Sequence, residues 1–313
     1  MHFKPSKEFK DFVDSTILGK NPVKTIAIEG PAGSGKTVAT RAIFSLLKQK
    51  FPGKYTDDAY LRYVCTKETT FTDFTVDKTL KNGNLDEIES VFLQMIQTPS
   101  VLVIDEYKLA QPDVLAGLND FLDHDQAKVL PNGKKYNRHP DCIIILTTNP
   151  QAYAGVKRQH GGFTDRLPTF FMGYSSEEVA ILSEKFTDVP RATILKACKF
   201  AEMIRNAQRT KNLQMICSTR GLETFLVMID NGCNISTAIR ATFKPSAEEE
   251  VIINEFCKMA FEAEIIENEK GEETLEMYGS LKKDNEDLKK ENKKLSNSVK
   301  KLKDQLEDVL SEG

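Results

Sequence analysis

The chain has 313 residues and a formal net charge of −3, with 40% hydrophobic and 28% charged residues, enough for two domains or for one large domain with an appendage. Its 43 basic and 46 acidic side chains leave no global basic excess of the kind that advertises nucleic acid. The apolar runs are too short to span a bilayer, Met1-His2-Phe3-Lys4 opens a polar segment, and the six cysteines have no CxxC spacing; a cytoplasmic protein without a membrane span, disulfide scaffold or zinc site is expected.

In chain order, the first strand is expected at Lys24–Glu29 (KTIAIE). It runs directly into Gly30-Pro31-Ala32-Gly33-Ser34-Gly35-Lys36-Thr37-Val38, which fits G-x-x-x-x-G-K-[ST] and opens a helix carrying Ala39, Ile43, Leu46 and Leu47. Glycines let backbone N–H groups curl around phosphates, and the helix N-terminus adds the positive end of its dipole. Lys36 supplies a charge for the β- and γ-phosphates, and the Thr37 hydroxyl can join a Mg²⁺ shell. The strand before and the helix after distinguish this phosphate site from a mere glycine-rich turn.

A second strand is expected at Tyr60–Thr66. Lys67–Asn84 follows, polar and poor in strand pattern, with Phe71 and Phe74 three apart. These aromatics would either grip a polypeptide or pack beneath a short helix. Val101–Glu106 is an apolar strand ending in Asp105 and Glu106. Alone it could be an acidic strand edge. Beside a phosphate loop, Asp105 would orient Mg²⁺ through water and Glu106 would polarise an attacking water, which points to a hydrolase. Lys128–Tyr136 reads as a hairpin around Pro131-Asn132-Gly133. With Lys128, Lys134, Lys135 and Arg138 it is locally basic, either a solvated tip or a contact for an acidic partner. Strands at Cys142–Asn149 and Thr169–Tyr174 complete the series. Short apolar strands spaced by helices specify an α/β fold, a doubly wound parallel sheet covered on both faces.

Beyond Ser175 the pattern is helical. Ser175-Ser176-Glu177-Glu178 has the form of a capping box. Pro190 opens a helix through Arg209, Ser218 caps a third ending near Asn231-Gly232, and a fourth is expected over Ala247–Glu264. The expected domains are therefore 1–174, an α/β core; 175–270, a helical lid; and 271–313, a coiled coil. In that tail Leu281, Leu288, Leu295, Leu302 and Val309 occupy heptad d, with Tyr278, Asn285, Asn292, Val299 and Leu306 at a. Leu at d favours a parallel pair, and Asn at a fixes register at a cost in stability. A single solvated helix with i,i+4 pairs such as Glu286–Lys290 is the alternative.

The chain resembles the AAA+ ATPases over residues 20–265, and within them the MoxR-type and dynein-related group that includes the CbbQ and gas-vesicle N proteins. The resemblance rests on the phosphate loop, on Asp105-Glu106 and the helix after it, and on Thr147-Thr148-Asn149-Pro150. It continues through Gly161-Gly162-Phe163-Thr164-Asp165-Arg166-Leu167 and Ser218-Thr219-Arg220. Tyr107-Lys108 departs from the polar pair usual there, and the segment after Thr66 lacks the usual glycine. The resemblance implies a five-stranded sheet with a lid, assembled as a ring of usually six subunits with nucleotide between neighbours. It implies ATP and Mg²⁺ as ligands and ATP hydrolysis as the reaction. Asn149 would be the sensor that touches the γ-phosphate or attacking water, and Arg220 the lid residue on phosphate. Arg166 would be the arginine finger reaching a neighbouring subunit, with Arg158 as the rival for that role. The implied work is remodelling or activating a protein partner, one with a von Willebrand factor A domain above all; a nucleic-acid-directed ATPase is the alternative.

Overall fold

In a computed structural model of the chain, the described residues are 4–81, 84–122, 127–150, 167–211, 213 and 215–262. Arg158, Arg166 and the expected coiled coil 271–313 lie outside the described residues. Nine strands are described: β1 Thr25–Glu29, β2 Tyr60–Val64, β3 Val76–Lys81, β4 Asn84–Glu89, β5 Ser100–Asp105, β6 Ala127–Val129, β7 Lys135–Asn137, β8 Cys142–Thr148 and β9 Thr169–Phe171. Five of them form one sheet in the order β2-β5-β8-β1-β9, every pair parallel. This is the expected parallel α/β sheet.

Alternation along the central strands sorts side chains to two cores. Leu102, Ile104, Ile144 and Leu146 pack on one face with Phe74, Phe92 and Phe121. Val101, Val103, Ile143 and Ile145 pack on the other with Ala39, Ile43 and Leu47 of the helix Lys36–Lys50 and with Phe9, Val13 and Ile17. Each such side chain, fully removed from water, contributes roughly 1.5–3 kcal/mol before the entropy of ordering it. Phe9 and Val13 belong to a helix, Lys7–Thr16, that the polar opening of the sequence did not suggest. Ser6 caps it, accepting from the Phe9 N–H at 3.2 Å.

The register brings the functional strand ends into line. Val64 lies opposite Asp105, Asp105 opposite Thr147, and Glu29 opposite Thr148. In an open parallel sheet the crevice outside these carboxyl ends is where ligands bind.

Several local expectations change. The segment read as poor in strand holds a 3₁₀ turn, Thr72–Phe74, and then the antiparallel β3–β4 hairpin. Phe74 is fully buried, and Phe71 packs on the same core, so both aromatics are structural. The β6–β7 hairpin forms as expected, with Gly133 at positive φ in its turn. Arg138, expected to add to its basic surface, is instead buried and donates to backbone carbonyls of Lys24, Phe121, Leu122 and Cys142. The capping box at Ser175 does not form either: the helix Glu178–Lys185 has Glu177 at its N-cap and no side-chain cap, Ser175 Oγ accepts from the Glu177 N–H at 3.1 Å, and the Glu178 carboxylate is held by Arg205. The cap at Ser218 is present, accepting from the Gly221 N–H at 3.0 Å. A further helix, Ile235–Phe243, follows it.

The chain divides into two units at Lys244/Pro245, so the helices from Glu178 to Phe243 share a unit with the sheet. In the second unit the helix Ala247–Cys257 opens with a true capping box between Ser246 and Glu249. Among the described residues no helix is long and apolar enough to cross a membrane.

Candidate active site

The phosphate loop leaves β1 after Glu29 and ends at Gly35, which takes φ +96° as the N-cap of the helix Lys36–Lys50. A side chain at that φ would be strained. No side chain caps this helix, so the N–H groups of Lys36, Thr37 and Val38 are left for an acceptor from outside the chain. Gly33 also has positive φ, and a Cβ there would lie 2.7 Å from the Ser218 Cβ. The loop therefore sits directly against the start of the helix Thr219–Asp230, which carries Arg220. Ser34 Oγ is buried without a hydrogen-bond partner. Loop, open helix end and close lid together fit a phosphate chain.

Lys36 is buried. Its Nζ donates to the carbonyls of Gly30 (2.7 Å) and Pro31 (3.0 Å) and to Asn149 Oδ1 (2.9 Å). Burial pulls its pKa below the ordinary lysine value, against the opposing charges of Glu106 and Asp105. Asn149 turns its Nδ2 to Glu106, 2.9 and 3.1 Å from the two carboxylate oxygens. Glu106 stands in the left-handed region at φ 53°, uncommon for a residue with a side chain. Its pKa is raised by burial first and by the Asp105 charge second, while Lys36 and Asn149 hold it down. Lys36, at the first turn of its helix, thus lies in one line of hydrogen bonds with Asn149 and Glu106, just past the ends of β8 and β5.

Asp105 is buried. Its Oδ1 accepts from the Thr147 hydroxyl and the Glu106 N–H (3.1 Å), and its Oδ2 from Arg62 Nε (2.7 Å) and Nη2. Among the described residues no group of three or more His, Cys, Asp or Glu side chains could hold a metal alone. Thr37 and Asp105 suit Mg²⁺, which keeps several waters and takes few protein ligands beside nucleotide phosphates.

Three features were not read from the sequence. Arg62 is one. The second is the ion pair of buried Lys108 and largely buried Glu29, whose carboxylate also accepts from the Tyr107 hydroxyl at 3.2 Å. The third binds lid to loop. Arg205 grips Glu178 with two bonds at 2.7 and 3.0 Å and lies 3.5 Å over the Tyr174 ring, while Tyr174 donates to the Ala32 carbonyl at 3.2 Å. For Arg62 a signal existed, a lone charge inside Tyr-Leu-Arg-Tyr-Val; for the others only the fold brings the partners together.

Residues 25–167 match the model of the AAA domain (dynein-related subfamily). The chain is 26% identical over 171 residues to Midasin of Giardia intestinalis, covering 53% of this chain and 3% of that protein. It is 25% identical over 192 residues to Midasin of Dictyostelium discoideum, covering 59% of this chain and 3% of that protein. The chain thus spans a small fraction of the length of these curated relatives. A crystal structure of a candidate ATPase from Cytophaga hutchinsonii aligns over 80% of this chain and 92% of its own, at 15% identity and TM-score 0.40. The segment from residue 25 to residue 167 is an AAA domain of the dynein-related subfamily.

Proposed function

We propose that the chain is a Mg²⁺-dependent ATPase that works as a ring and spends ATP hydrolysis on remodelling or activating a protein partner. The observation that carries the hydrolytic reading is the line of hydrogen bonds from Lys36 through Asn149 to Glu106. Lys36 exchanges its carbonyl partners for the phosphates of ATP, and the helix N-terminus takes the rest of their charge. Glu106, held by Asn149, orients and deprotonates the attacking water. Thr37 and Asp105 would hold Mg²⁺, which would supply charge neutralisation on the phosphates. Arg220, beside the loop, is the lid's cation for the same anion, and Arg166 is the proposed finger from a neighbour. The proposed domain plan keeps the sheet, the lid and a coiled coil over 271–313.

Two hairpins that are joined to each other support the choice of partner class. Tyr136 donates to Glu89 at 2.8 Å and Asn132 to Glu87 at 3.2 Å, tying β6–β7 to β3–β4. They expose Leu80, Ile88 and Val129, apolar side chains of the sort that seat on polypeptide. Of the four cations of the β6–β7 segment, Lys128 pairs with Asp120, Lys134 with Glu87 and Arg138 is buried, which leaves Lys135, with Lys78 on β3, exposed. The exposed apolar side chains support a protein over a nucleic acid. The test is the ATPase rate with and without single- and double-stranded DNA at two salt concentrations. Indifference to DNA is expected, and salt-sensitive stimulation would overturn the choice of partner.

A further inference from the structure

We propose that Arg62 sets the metal requirement of the site by occupying the carboxylate that the metal's hydration shell needs; this rests on the phosphate-site reading above. A carboxylate offers about four lone-pair sites. Asp105 has four donors on them: the Thr147 hydroxyl and Glu106 N–H on Oδ1, and Arg62 Nε and Nη2 on Oδ2. A water on a metal ion is a donor too, so seating it on Asp105 requires one of the four to leave. The Glu106 N–H belongs to the next residue, and Thr147 is fully buried on the adjacent strand. Arg62 is the partner able to go. It stands on β2, at the edge of the sheet, and its side chain is 37% exposed against 6% for Asp105.

Arg62 also cancels the charge a divalent cation would feel. While the guanidinium is seated, Asp105 presents no net charge to Mg²⁺; once it swings to solvent the full carboxylate charge is available. Arg62 is therefore a positioning residue acting through Asp105. Its consequence is metal affinity that is weaker than the carboxylate alone would give, and seating of the metal coupled to motion at the sheet edge.

The test uses Mn²⁺ as the probe, titrated into the full chain with saturating ADP and read from the free-ion electron paramagnetic resonance signal. Arg62→Gln is expected to bind Mn²⁺ about five- to tenfold more tightly than wild type. Arg62→Lys keeps the charge but loses the two-pronged grip, so a smaller shift in the same direction is expected. It also decides the matter if Arg62→Gln does not fold. Unchanged Mn²⁺ affinity in both variants, with or without a lower melting temperature, would show a purely structural ion pair and overturn the inference. A wild-type chain that binds no ADP at all would overturn the phosphate-site reading and this inference with it.

Discussion

Asn149 donates from Nδ2 to both carboxylate oxygens of Glu106, at 2.9 and 3.1 Å. The bond has a consequence in pH. Burial and Asp105 raise the Glu106 pKa, and the Asn149 bond works against them. A base must be ionised, so turnover should be present above that raised value and lost as pH falls through it. Asn149→Ala removes one of the groups holding the pKa down. Its acid limb should move to higher pH by about half a unit or more in a kcat–pH profile, whatever happens to the plateau. An unmoved limb would separate Asn149 from the base.

The same shift acts oppositely on stability. A carboxyl whose folded pKa is raised favours the folded state when protonated, and that contribution is lost as pH rises through the folded value. Glu106→Gln, which keeps a side-chain acceptor for Asn149, should melt above wild type by on the order of 1–3 °C at pH 8. The gap should close as the buffer approaches the ordinary carboxylate range. A thermal melt series across pH checks both statements.

Lys108 and Glu29 join the turn after the acidic pair to the end of β1, and both side chains are largely buried. Lys108→Ala leaves Glu29 buried without its counter-ion and should cost about 3 kcal/mol in a urea titration. Lys108→Met with Glu29→Gln removes both charges and should regain most of that loss. An equal deficit in the double variant would mean the pair contributes packing and not charge.

Much of this architecture was legible because its signals are local. The phosphate loop announces itself by glycine spacing between a strand and a helix, and Ile143-Ile144-Ile145 can hardly be other than a strand buried on both faces. The capping role of Ser218 was equally readable. What failed depended on tertiary partners. Arg138 reads as surface charge until the fold wraps five carbonyl and hydroxyl acceptors around it. Ser175 and Glu178 have capping-box spacing, but Arg205, 27 residues on, claims the carboxylate. The polar neighbours of Phe74 left open whether it grips a polypeptide or packs in the core, and only the fold, which covers it with Tyr63 and Phe92, decides for packing. The β3–β4 strands carry adjacent charges, Asp77-Lys78 and Asp86-Glu87, which break the apolar alternation that reveals a strand.

Assembly is tested by complementation. If Arg166 acts across subunits, Arg166→Ala and Glu106→Gln chains, each inactive alone, should regain part of the wild-type ATPase rate when mixed, since some interfaces then pair intact groups. Wild-type turnover by Arg166→Ala alone would exclude it as the finger.

For the tail, a peptide spanning 271–313 should form a weak parallel dimer in sedimentation equilibrium. Asn285→Val with Asn292→Val should strengthen association while loosening its stoichiometry. A monomer at high micromolar concentration would contradict the coiled coil.

The most direct measurement is paired ATP binding and steady-state hydrolysis for Glu106→Gln beside wild type. The account predicts ATP affinity within about threefold of wild type and turnover reduced by about a hundredfold or more, because the phosphate cradle is untouched and the base is gone. Hydrolysis by Glu106→Gln at the wild-type rate would contradict it.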